Sequence, residues 1–90
     1  MITSFKHPGL QTLFNSGPGT TTVPASPLHA PCLRRLSAID GARAPASLNI
    51  PGFGYRALSI ATYEVNADRG SPSRIEFGWT GTDAADVDFH

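Results

Sequence analysis

Hydrophobic positions along this chain change their period partway. In "HPGLQTLFNSG", Leu10, Leu13 and Phe14 stand at i, i+3 and i+4, Pro8 suits a first helical position and Gly17 supplies a stop, so a short helix is predicted over residues 8–15. Before it, the β-branched "MITSF" reads as a first strand. Further on, Cys32, Leu33, Leu36 and Ile39 line one side of a second helix, Arg34 and Arg35 the other, and Gly41 lies just past its end. Its first turn is placed at Pro31, because a start at Ser26 and Pro27 would leave Pro31 in the helix interior at a cost of about 3 kcal/mol. Between the helices, "SGPGTTTVPASP" has the composition of a loop, and a mobile segment is expected near residues 16–28. After the turn-rich connector "PASLNIPGFG" the pattern favours strands, in "YRALSI", "TYEV", "RIEFGW" and "AADVDFH". This order predicts an α+β domain, two N-terminal helices packed on one face of an antiparallel sheet of about four to five strands.

Length keeps that picture to a single domain. With 90 residues, the chain buries only about 60 to 65% of the surface its unfolded form exposes, so the core is thin. Its 40% hydrophobic residues are those of a globular protein, while 9 Gly and 8 Pro point to much loop. No stretch approaches the roughly eighteen apolar residues of a membrane span, and "MITSFKHPGL" lacks the apolar core of a signal peptide, so a cytoplasmic protein is expected. The single Cys32 rules out an internal disulfide and a multi-cysteine metal site, and His7, His29 and His90 have no metal-ligand spacing. On an apolar helix face Cys32 reads as packing.

Charge sums to zero but is unevenly spread. Lys6, Arg34, Arg35, Arg43 and Arg56 face only Asp40 in the first two-thirds, whereas beyond it Arg69 and Arg74 face six acids. Such a balance argues against a large phosphate-binding footprint. Arg34 and Arg35 read as the solvated side of their helix. Tyr63, Phe77 and Trp79 read as core aromatics rather than base-stacking platforms. Lys6 and His7 read as ordinary exposed residues.

The last two strands carry the candidate chemistry. Ile75, Phe77 and Trp79 share one face, as do Ala85, Val87 and Phe89. Pairing Trp79 with Ala85, Phe77 with Val87 and Ile75 with Phe89 leaves "TGTDA" as the hairpin loop and sets Arg74 opposite His90 on the solvent face. It also sets Glu76 opposite Asp88, a like-charge pair unfavourable by a few tenths to about 1 kcal/mol. A register two residues shorter sets Arg74 opposite Asp88, as a surface ion pair of little worth, and leaves His90 free. The alternation alone admits both.

Several blocks resemble one family. "MITSFKHPGLQTLF", "HAPCLRRLSAIDGARAPASLNIPG" and "SRIEFGWTGTDAADVDFH" are similar, in order and over about two-thirds of the chain, to the HigB-type killer toxins of the RelE/ParE superfamily; "FGYRALSIATYEVNADRGSPS" matches poorly. The resemblance implies a RelE-like domain that cuts messenger RNA on the ribosome without a metal or other cofactor. It also implies silencing by a cognate HigA-like antitoxin, a helix-turn-helix DNA-binding protein. In that chemistry the ribose 2′-hydroxyl attacks the adjacent phosphate. A base takes its proton, cations stabilise the phosphorane-like transition state, and an acid protonates the departing 5′-oxygen. Arginine suits the cationic role, because its planar fork grips two phosphate oxygens and keeps its charge. Histidine, with an unperturbed pKa of about 6.5, suits the acid or base.

Carried over by position, Arg74 falls on the arginine of the family's "W-R-I" segment and His90 on the histidine of its terminal "Y-H". The departures lie around them. Arg56 and Ser59 in "YRALSI" replace the histidine and lysine of the family's "L-H-x-L-K-G", Ser73 replaces a tryptophan and Phe89 a tyrosine. The tail is about three residues shorter than the family's, which shifts His90 by about 10 Å of extended strand. The expectation is therefore a translation-inhibiting endoribonuclease of reduced activity, with Arg74, His90 and Arg56 as its site residues. The alternatives are an inactive, antitoxin-binding relative and a gyrase-poisoning relative of the ParE branch.

Overall fold

The computed structural model describes residues 1–90. Helix α1 spans Pro8–Ser16 with its proline in the first turn, where the missing N–H has no intrahelical acceptor to lose. His7 starts the helix: its Nδ1 accepts the Leu10 N–H at 3.2 Å, and its ring lies edge-on to Phe89 with centroids 5.6 Å apart. His7 is thus a helix cap, rather than the ordinary exposed residue expected. The Gly17 N–H closes the other end on the Leu13 carbonyl at 2.9 Å.

Helix α2 spans His29–Gly41 and follows a 3-10 turn at Ser26–Leu28. It starts at His29 rather than Pro31, because Pro31 falls in the first turn, where a proline costs little. The loop between the helices meets the buried His29 ring at two points. Gly19 N–H donates to Nδ1 at 3.0 Å, and Nε2 lies 2.8 Å from the Pro24 carbonyl. This pair of partners selects the neutral tautomer with its proton on Nε2.

Four antiparallel strands form a meander in the order β1-β2-β3-β4: β1 Arg56–Ala57, β2 Thr62–Asn66, β3 Arg74–Thr80 and β4 Asp83–Phe89. The stretch "YRALSI" yields only two strand residues. Its backbone turns back at once, with the Leu58 and Ser59 N–H groups both donating to the Thr62 carbonyl at 2.8 and 3.2 Å, and Ile60 is left 98% exposed. "MITSF" makes no full strand either. Ile2 and Phe5 form isolated parallel bridges to Ala84 and Val87 along the outer edge of β4.

A β-bulge explains that interruption. Ile75 pairs with Phe89 and Glu76 with Asp88, but Gly78 pairs with Ala85 and Trp79 with Ala84, so one extra residue enters β4 between them. Asp86 takes it up with φ 53, a left-handed conformation that Asp tolerates better than most residues. Ser4 seats the bulge, its Oγ accepting the Asp86 N–H at 2.9 Å. Two consequences correct the sequence reading. The shift turns Ala84 rather than Ala85 into the core, and Thr80 pairs with Asp83, so the hairpin loop is Gly81–Thr82 instead of "TGTDA". Gly81, with φ 65, supplies the positive angle such a tight turn requires at its first loop position.

Leu10 and Leu13 of α1, Cys32, Leu36 and Ile39 of α2, and Leu48 pack on Val65, Ile75, Phe77, Ala84 and Val87 of the sheet, each at most 1% exposed. Tyr63 and Trp79 flank the fully buried Phe77 at ring centroid distances of 5.9 and 6.3 Å, both themselves half-buried.

Arg35 departs from expectation. It is buried, not solvated, and its guanidinium donates to Asn66 Oδ1 at 2.9 Å, Pro31 O at 3.1 Å and Gly52 O at 3.1 Å, while lying 4.5 Å from the centre of the Phe53 ring. Burial lowers its pKa below the ordinary arginine value, an effect opposed by Asp68. It ties α2 both to β2 and to the connector before β1. No helix is long and apolar enough to cross a membrane.

Candidate functional site

Alternation along the strands divides the sheet into two chemistries. Val65, Ile75, Phe77 and Val87 enter the core, so Arg56, Glu64, Arg74, Glu76, Asp88 and His90 are left on the opposite face, with Asn66 buried at its margin against Arg35. Directly paired positions run across it as Arg56, Glu64, Glu76 and Asp88. A second row runs Asn66, Arg74 and His90.

Arg74 and His90 exchange both backbone hydrogen bonds, Arg74 N–H to the His90 carbonyl at 2.8 Å and His90 N–H to the Arg74 carbonyl at 2.9 Å. Of the two registers open to the sequence, the one that pairs these residues is present at this end of the hairpin. Their side chains nonetheless have separate partners. Arg74 Nε lies 3.5 Å from Glu64 Oε2, and His90 Nε2 lies 3.4 Å from Glu76 Oε1. Arg56 reaches the same Glu64 oxygen with its terminal nitrogen, at 3.1 Å. Two guanidiniums, one on each neighbouring strand, therefore converge on a single carboxylate oxygen.

Glu64 is buried beneath them, whereas Arg56 is largely exposed and Arg74 about half so. Its direct neighbour across the ladder, Glu76, is a like charge, as Asp88 is to Glu76. These repulsions are relieved by separate partners: Glu64 takes the arginines, Glu76 the imidazole, and Asp88 Oδ1 accepts the Phe89 N–H at 2.9 Å. Two guanidiniums and one imidazole thus face three carboxylates, and the surface has no strong net field for a polyanion.

The connector shapes the rim beside Arg74. Asn66 Nδ2 donates to the Gly52 carbonyl at 3.0 Å, and the Asn66 N–H donates to Phe53 O at 2.7 Å, which brings Gly54 against the sheet. With φ +62, Gly54 adopts a conformation L residues avoid, and a Cβ there would lie 3.1 Å from Asn66 Nδ2 and 3.6 Å from a terminal nitrogen of Arg74. The face is an open shelf, with no enclosed pocket and no clustered set of metal-ligating side chains.

All three predicted site residues lie on this shelf. Arg56 and Arg74 are brought together through Glu64, and His90 joins through its backbone pairing and Glu76. Phe89, between Asp88 and His90, points the other way, packing against the core and His7. Sequence reasoning placed Glu76 only as a like-charge neighbour of Asp88, and missed Glu64, Asn66 and Gly54. Period two in "TYEV" does set Glu64 apart from Tyr63 and Val65, but nothing in that stretch names its arginine partners. Compared with known proteins, the chain matches no protein-family model, and none of the curated proteins is significantly similar to it.

Proposed function

We propose that this chain is a RelE-like, HigB-type toxin of a toxin-antitoxin pair. In this reading it is an endoribonuclease of reduced activity that cuts messenger RNA on the ribosome and is silenced by a HigA-like antitoxin. The observation that carries the proposal is the Arg74–His90 pair, whose reciprocal backbone hydrogen bonds set a permanent cation and a titratable ring side by side on the open face. The 2′-hydroxyl attacks its adjacent phosphate, the bond to the 5′-oxygen breaks, and a 2′,3′-cyclic phosphate and a free 5′-hydroxyl result. Arg74 and Arg56 stabilise charge on the phosphorane-like transition state. His90, oriented by Glu76, serves as the acid or the base, and water takes or supplies the other proton, so that the one lost by the 2′-hydroxyl is balanced by the one gained by the 5′-oxygen. No step calls for a metal.

Induced expression followed by mapping of RNA ends tests this reading. Growth arrest with cleavage in translated messages is expected, and Arg74→Ala should abolish both while changing antitoxin binding by no more than about 1 to 2 kcal/mol. Arrest by Arg74→Ala equal to that of the unmodified chain would remove the site.

One observation favours a second reading, an inactive antitoxin-binding module: every proposed site side chain is already engaged by a carboxylate of the same face. That protein would arrest nothing yet still capture the antitoxin. A DNA-damage response in place of RNA cleavage would instead indicate gyrase poisoning.

A further inference from the structure

We propose that Arg56 and Arg74 form a two-guanidinium grip for an RNA phosphodiester and that Glu64 is its resident competitor, holding the place a phosphate oxygen must take. The inference deepens the ribonuclease reading and rests on it for the identity of the anion.

Geometry supplies the argument. Both arginines approach one atom, Glu64 Oε2, at 3.1 and 3.5 Å, from strands on either side of β2. Each guanidinium approaches through a single nitrogen, and guanidinium N–H groups bind carboxylate and phosphate oxygens alike, so charges placed for one are placed for the other. The arginines stay accessible while the carboxylate beneath them does not, so an incoming anion meets the cations first. Glu64 faces Glu76 directly across the ladder, so the arginines must outweigh a like charge to hold it there. Gly54 leaves the flank of Arg74 free of a side chain. A phosphate therefore has to displace Glu64 from the arginines or share them with it, and either route weakens binding. The resident carboxylate holds the grip closed to weak anions.

Glu64→Gln removes the charge and keeps the shape, with circular dichroism confirming the fold. Inorganic phosphate and a short 2′-O-methyl oligoribonucleotide, which cannot be cleaved, serve as probes by calorimetry or chemical-shift titration at low salt. Both should bind about two- to fivefold more tightly to Glu64→Gln, the size expected for one charge lifted from a partly exposed pair. Arg56→Gln, a change at an exposed position, should weaken the same binding about fivefold and cancel the gain when combined with Glu64→Gln. Unchanged or weaker binding by a folded Glu64→Gln chain overturns the proposal, as does a gain that survives loss of Arg56. Tighter phosphate binding without RNA cleavage by any variant would sink the ribonuclease reading and leave the grip standing. Cleavage by the unmodified chain, with KM and phosphate affinity unmoved in Glu64→Gln, would do the reverse.

Discussion

Asn66 Oδ1 accepts the Nε–H of Arg35 at 2.9 Å, joining the second helix to the second strand through a buried polar bond. Asn66 also holds the connector through the Gly52 carbonyl, which Arg35 shares. One guanidinium thus sets the distance between helix, strand and the Gly54 rim beside Arg74.

Breaking that bond from one side leaves a buried charged donor unpaired. Asn66→Ala should therefore cost about 2 to 3 kcal/mol in urea denaturation. The pair is coupled through a shared acceptor, so Arg35→Met combined with Asn66→Leu should cost clearly less than the sum of the single changes. Strict additivity in that cycle would show the contact to be incidental.

Burial pushes the Cys32 thiol up to about 11, from an ordinary 9.0, against the opposing influence of Arg35. Its only polar contact is with the Ala67 carbonyl, 3.8 Å from Sγ. As pH rises past 9.0 the unfolded thiol ionises while the folded one keeps its proton until about 11, so stability falls across that window. The loss amounts to about 2 to 3 kcal/mol, complete once the folded thiol ionises. Cys32→Ala should flatten this part of the stability profile, measured by urea titration at stepped pH. The native thiol should also react slowly with a disulfide reagent at pH values where an exposed cysteine reacts at once. Rapid modification of the folded chain would contradict its burial.

At Asp86 the backbone is left-handed, with φ 53, so side-chain shape matters more than charge. Asp86→Val should destabilise by about 1 to 3 kcal/mol, because a β-branched residue resists this conformation. Asp86→Gly should stay within about 0.5 kcal/mol of the unmodified chain, the conformational relief offsetting the lost contact with Ser4. Chemical denaturation of both variants checks the ordering, and a Val variant as stable as the Gly variant would show that the bulge relaxes away.

By itself the sequence determined the two helices, the three longer strands and most of the core. Leu10, Leu13, Leu36 and Ile39 recur at helical spacing and Ile75 and Phe77 at strand spacing, and period alone assigns such residues to buried faces. Face alternation likewise put Arg74 and His90 on the solvent side. Tertiary structure decided what periodicity cannot encode. Ser4 and Asp86 are far apart in sequence, and only their meeting accommodates the extra residue that moves Ala84 inward. Arg35 looked like a solvated helix residue because its acceptors come from β2 and the connector, contacts that helical spacing does not register. Glu64 between its two arginines is of the same kind: charge placement follows from a local pattern, but charge pairing depends on which strands become neighbours, and that is settled only when the chain packs.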